Sequence, residues 1–151
     1  MHIPAYLAEQ RVRFETLYHP PAFTAQKRAR YLRLPGDVVA KSVLLRGKDG
    51  FLLAVLPATM HVNTSRLGAL LANTFRLATA DEIAPVFPDC EWGVVPPFGR
   101  LYGLRTFLED SLRPDDEVVF ESNHRAEGIR MSCRDFEELQ RPGRARFGHK
   151  P

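Results

Sequence analysis

Three observations predict a single mixed α/β domain with a partly antiparallel, curved sheet flanked by helices. Helical and extended patterns alternate along the 151 residues rather than segregating. Two β-rich segments are joined by Gly47-Lys48-Asp49-Gly50, a hairpin signal that argues against a purely parallel, doubly wound sheet. No repeat, low-complexity tract or linker divides the chain, and its length suits one domain, residues 1–151, with a real core.

The elements follow in order. Residues 3–14 read as a helix with Ile3, Leu7, Val12 and Phe14 mostly on one side. Residues 15–18 form a short strand that His19-Pro20-Pro21 breaks. Thr24 caps a helix running to about Leu34, which Pro35-Gly36 ends. Residues 38–46 and 51–56 are the two strands of the hairpin. Asn63, Thr64 and Ser65 offer caps for a helix with Leu67, Leu70 and Leu71 on one face. Residues 75–78 suggest a short strand, and Thr79-Ala80-Asp81-Glu82 is a capping box opening a short helix. Residues 101–107, 117–121 and 128–131 look extended, and Ser132-Cys133-Arg134-Asp135 opens a last helix with Phe136 and Leu139 inward.

Composition narrows the function classes. Hydrophobic content of 44% and charged content of 26% match a globular protein, and the longest apolar runs are too short to span a bilayer. The start lacks a basic segment followed by an apolar one, so a cytoplasmic location with no membrane partner is expected. Two cysteines, Cys90 and Cys133, make neither a disulfide framework nor a metal-ligand pair. A net charge of +3 permits an anionic partner such as RNA without demanding one. Lys27, Arg28, Arg30 and Arg33 cluster in the first third, either as a solvated face or as a contact for an anionic partner; Arg141, Arg144, Arg146 and Lys150 lie in a basic tail, residues 141–151, that reads as a frayed terminus.

Two features point to chemistry. The stretch Glu91-Trp92-Gly93-Val94-Val95-Pro96-Pro97-Phe98-Gly99-Arg100 is apolar and stiff, yet its prolines exclude a central strand or helix. It is either a buried crossover or a preformed loop that holds a ligand. Lys41 interrupts the strand Val38-Val39-Ala40-Lys41-Ser42-Val43-Leu44-Leu45, which is apolar on both faces. It is either a sheet-edge lysine reaching solvent or an ammonium in a pocket.

Thr24-Ala25, Val39-Ala40-Lys41-Ser42, the hairpin, and the valine-proline-proline-phenylalanine-glycine core of the loop together resemble the YbaK/ProX family. Its members are stand-alone relatives of the editing domain inserted in bacterial prolyl-tRNA synthetases, and the likeness runs over residues 19–139. The resemblance implies a YbaK-like editing fold and trans-editing hydrolysis of the ester in mischarged aminoacyl-tRNA, most often tRNA for proline. It puts the catalytic work on Lys41, Gly93 and Gly99, and substrate contacts on Thr24, Ser42, Val94, Pro96, Pro97, Phe98, His19 and His124. It implies no metal or organic cofactor. The implied partners are the 3′ acceptor end of aminoacyl-tRNA and a synthetase.

The residues agree with water-mediated ester cleavage. No Ser/His/Asp series and no Gly-x-Ser-x-Gly elbow is present. Pro96 and Pro97 have no amide to give, so an oxyanion would need Gly93, Val94, Phe98 or Gly99. The tRNA 2′-hydroxyl can position the water. His19 is either a pocket-mouth group or a surface histidine, and His124 is a candidate for proton transfer or RNA contact. Ser122 stands where relatives carry glycine. Cys90 reads as a structural thiol; Trp92 and Phe98 read as adenine-stacking rings or core fillers. Glu109 and Asp110 read as a cap or surface pair. Two other readings stand beside it: a tRNA- or nucleotide-binding module of the same fold without catalysis, and a small-ester or amide hydrolase, for which the sequence offers no nucleophile.

Overall fold

The computed structural model describes residues 2–151. Two short helices and a strand come first: α1 (Ile3–Glu9), β1 (Glu15–Tyr18) and α2 (Ala25–Leu32). The hairpin strands β2 (Ala40–Arg46) and β3 (Phe51–Pro57) follow, then β4 (His61–Val62), α3 (Thr64–Leu71), β5 (Arg76–Leu77) and α4 (Ala80–Val86). The second half holds β6 (Arg105–Glu109), β7 (Glu117–Glu121), β8 (Glu127–Ser132), α5 (Cys133–Gln140), β9 (Gly143–Ala145) and β10 (Gly148–His149).

The strands form a five-stranded sheet in the order β5-β2-β3-β6-β9 and a three-stranded antiparallel sheet in the order β1-β8-β7. The larger sheet is mixed: β2–β3 is antiparallel, while β3–β6 and β6–β9 are parallel. A parallel bridge, Val39 to Val119, stitches the two sheets together. The main core lies between them and includes Leu44, Leu53, Phe98, Phe120 and Phe136, with the Phe120 and Phe136 rings stacked at 4.3 Å. Each such ring contributes about 2–3 kcal/mol by leaving water.

Local chemistry sets most boundaries. Gly47 N–H donates to Gly50 O at 2.7 Å and closes the hairpin. Thr24, Asn63, Thr79 and Ser132 cap α2, α3, α4 and α5 through their side chains, and Thr79 with Glu82 completes the capping box.

Three expectations change. The first helix stops at Glu9 because Arg11 turns left-handed, with φ 57°, and Val12 and Phe14 then pack from an extended segment. The segment expected to extend over residues 101–107 opens instead as a 3-10 turn, Gly99–Tyr102, and β6 starts at Arg105. The basic tail is ordered rather than frayed: β9 pairs with β6, β10 pairs with β4, and Phe147 is fully buried. Glu109 holds it, accepting from the Phe147 and Gly148 amides at 2.7 and 2.6 Å.

Candidate functional site

A cavity of about 290 Å³ opens where the edge of β2 is left bare. On one flank β2 pairs fully with β3. On the other, β5 covers only Leu45 and Arg46, and the bridge to β7 covers only Val39. Between these two contacts, Lys41, Ser42, Val43 and Leu44 line the cavity. Leu44 O still accepts from Ala78 N at 2.9 Å, so strand alternation aims the Ser42 amide and carbonyl at the same bare edge.

The remaining walls come from three places. The entry to α2 gives Phe23, Thr24 and Arg28; the loop gives Gly93 and Val95; and the end of β7 with the turn after it gives Glu121 and Arg125. Arg125 ties these walls together. Its Nη2 donates to Trp92 O at 2.7 Å, its backbone N–H donates to Glu91 Oε1 at 3.1 Å, and its guanidinium lies 4.4 Å over the exposed Phe23 ring. Gly93 must be glycine here. Its φ is +87°, and a Cβ would sit 2.8 Å from Arg125 Nη2.

Arg28 departs from a solvated-face reading of its basic cluster. Lys27, Arg30 and Arg33 are exposed, but Arg28 is only 1% exposed. It lies on the side of α2 that carries Ala25 and Ala29, and Gly128 opposite leaves room for its stem. Its Nε donates to His19 Nε2 at 3.1 Å, while His19 Nδ1 lies 2.7 Å from Pro20 O. That pair of bonds fixes the tautomer: Nδ1 carries the proton and Nε2 accepts. Burial, only partly opposed by the Pro20 bond, lowers the His19 pKa and keeps the ring neutral. His19 thus orients Arg28 from behind and does not line the cavity.

Buried polar atoms are ordinarily paired, since an unpaired one costs about 1–3 kcal/mol. Two that line this cavity, Arg28 Nη2 and Ser42 Oγ, have no partner among the described residues. Glu121 completes the set. Burial drives its carboxyl up to about 7, against the pull of Arg28 and Arg125. Lys41 sits toward the rim, its Nζ 3.5 Å from His61 Nδ1, and burial lowers its pKa.

The predicted residues therefore divide. Lys41, Ser42, Thr24 and Gly93 meet in one cavity. Val94, Pro96, Pro97, Phe98 and Gly99 are buried outside its lining. The Val94 amide donates to Glu91 O at 3.0 Å. Phe98 packs edge-on against Phe136 at 5.6 Å, and a Cβ on Gly99 would collide with Thr106 Oγ1 and the Leu104 carbonyl. Val95, not singled out by the sequence, takes their place beside Gly93. His124 is exposed, 3.5 Å from Glu91. Trp92 is exposed and Phe98 is core. Cys90 is no nucleophile at neutral pH, because burial pushes its thiol up to about 11.

Arg28, Glu121 and Arg125 were missed as site residues. For Arg28 a signal existed, its spacing from Ala25, Ala29 and Leu32 on a helical period. An acid ending a strand carries no such signal. Among the described residues, the ligand atoms of His2, His124 and Glu127 lie within 4.8 Å of one another and could meet a metal ion; none of the three lines the cavity. No helix among the described residues is long and apolar enough to cross a membrane.

The chain resembles known proteins in both sequence and shape. Proline–tRNA ligases match it: that of Thermosipho africanus is 32% identical over 48% of this chain, and that of Kosmotoga olearia 29% over 66%. The matches span only 13% and 17% of those ligases. A structure described as a candidate trans-editing enzyme for prolyl tRNA synthetase superposes with a TM-score of 0.83 at 21% identity, over 97% of this chain and 94% of that one. The hypothetical protein APE2540 superposes with a TM-score of 0.87 at 17% identity, over 97% and 99%. At those identities the superpositions establish a common fold. The family model described as the aminoacyl-tRNA editing domain matches residues 19–139, and the chain belongs to that family.

Proposed function

We propose that this chain is an aminoacyl-tRNA deacylase that acts in trans, hydrolysing the ester of mischarged tRNA of the proline type. The observation that carries the reading is the cavity itself. It joins Lys41 to the Gly93 and Val95 stretch, and it holds two buried polar atoms with no partner among the described residues. Membership of the editing-domain family supports the reaction class, and the ligase relatives favour tRNA for proline.

Water attacks the ester carbonyl, the C–O bond to the terminal ribose breaks, and the proton from water ends on the ribose oxygen. Free amino acid and tRNA leave. The oxyanion of the tetrahedral intermediate needs donors held in place beforehand. Gly93 and Val95 backbone, the bare Ser42 edge, Lys41 and the unpaired Arg28 Nη2 are groups within the cavity that can serve. The 2′-hydroxyl beside the ester positions the water, so no side-chain nucleophile is required. The exposed Phe23 with Arg125 above it, the exposed Lys27 and Arg30 on α2, and the exposed Arg33 just after it suit an acceptor end with its phosphates.

The test is release of free amino acid from tRNA for proline charged with alanine, cysteine or serine. Lys41→Ala should slow release on the order of 100-fold with its melting temperature unchanged. Absence of release from all three tRNAs, or full activity in folded Lys41→Ala, would defeat the reading. Retained tRNA affinity without turnover would make the chain a binding module instead.

A further inference from the structure

We infer that the Glu121 carboxylate is the recognition group for the α-ammonium of the aminoacyl moiety. The inference rests on the deacylase reading above and names a contact within it. An aminoacyl-tRNA end presents opposite charges to its binder: phosphates at one side of the terminal nucleotide and a protonated amine beside the scissile ester. The cavity is lined by three cations, Lys41, Arg28 and Arg125. These suit phosphate and ester oxygens and repel an ammonium. Glu121 is the one carboxylate in the lining among the described residues.

Its placement fits that task. Glu121 ends β7 directly across from Gly128, beside the stem of Arg28. It shares a strand face with Val119, which packs under α2 with Ala25 and Ala29. No ion pair within 4.0 Å joins it to Arg28 or Arg125 among the described residues. A carboxylate bathed in the field of two guanidiniums, yet touching neither, keeps its oxygens for a ligand. Burial favours its protonated form near neutrality, and an arriving ammonium favours the ionised form. Binding of the amine thus charges the acid that holds it.

The rival role for this carboxylate is general base toward the attacking water. The two differ in what they ask of the substrate. An ammonium receptor discriminates a free α-amine from an N-acetylated one; a general base serves both alike.

The experiment uses the intact chain and two RNA hairpins ending in 3′-alanylamino-3′-deoxyadenosine, whose amide resists hydrolysis. One has a free amine and the other is N-acetylated. Calorimetry should show wild type binding the free amine about tenfold or more tightly. Glu121→Gln should lose that preference and leave the N-acetylated affinity unchanged; Glu121→Asp should keep part of it. Equal weakening of both hairpins by Glu121→Gln, or an intact preference, overturns the inference. So does a variant that slows hydrolysis of alanyl and N-acetylalanyl esters by the same factor. If wild type shows the amine preference but cleaves no ester, the deacylase reading fails and the ammonium contact stands. If wild type binds neither hairpin, both fall.

Discussion

Glu109 and Glu121 end successive strands, β6 and β7, and the protein treats them in opposite ways. Glu109 is 2% exposed and saturated: the Phe147, Gly148 and Ser111 amides all donate to it. Glu121 faces the cavity, and among the described residues no side chain within ion-pair range holds it. One glutamate spends its oxygens on the fold and locks down the last strands. The other withholds them and is pushed up to about 7 by its surroundings. Fold-holding and ligand-holding carboxylates are thus separable by who already occupies their lone pairs, where residue type and strand position are the same.

The largest effect should come from emptying the saturated site. Glu109→Leu leaves the buried Phe147 amide and the part-buried Gly148 amide without an acceptor. At about 1–3 kcal/mol per unsatisfied group, the loss is about 2–6 kcal/mol, read as a lower denaturation midpoint. Proteolysis should nick the chain after α5, where β9 and β10 would come loose. A variant as stable as wild type would erase the contrast between the two acids.

A smaller effect tests what keeps the cavity side open. Gly93→Ala must place a Cβ on a backbone with φ of +87° and 2.8 Å from Arg125 Nη2. Strain of this kind costs about 1–3 kcal/mol, and moving Arg125 breaks its bond to Trp92 O. Thermal melting should show the loss, and ester hydrolysis per folded molecule should fall with it. An active, equally stable Gly93→Ala protein would mean that neither the turn nor the Arg125 clamp shapes the site.

The sequence made the saturated parts of this fold easier to read than the open ones. The hairpin and the Thr79–Glu82 box are written in adjacent residues, and local chemistry alone decides them. The tail was not legible because β9 joins β6 from more than 30 residues away, through an acid whose partners lie beyond α5. In the site, Lys41 stood out as a charge on an apolar strand. The loop stood out by its prolines and glycines, yet only Gly93 and Val95 turn to the cavity, while Phe98 and Gly99 serve the core. Arg28 was hidden in a basic run whose other members are solvated. Glu121 was hidden because a terminal acid on a strand is an ordinary surface residue until Arg28 and Arg125 are brought round it by the fold.

The finest effect concerns the cost of leaving Glu121 open. Its pKa rises from 4.5 in the unfolded chain to about 7 in the folded one. Below pH 4.5 both states carry the proton, and the group is neutral to stability. Between these values the folded state holds a proton that the unfolded state has released, so stability falls as pH rises and stays lower above 7. The groups facing the carboxylate are Arg28 from α2, Arg125 from the turn after β7, Glu91 from the loop and Lys41 from β2. Glutamine copies the neutral form at every pH. Glu121→Gln should therefore melt with wild type near pH 4.5 and above it at pH 8, with the gap opening between. If the gap opens the other way, the guanidiniums outweigh burial, and Glu121 is an ion-pair anchor of the same kind as Glu109. The expected direction has a further meaning. A substitution that raises stability while removing ligand recognition marks a residue that folding alone would have replaced.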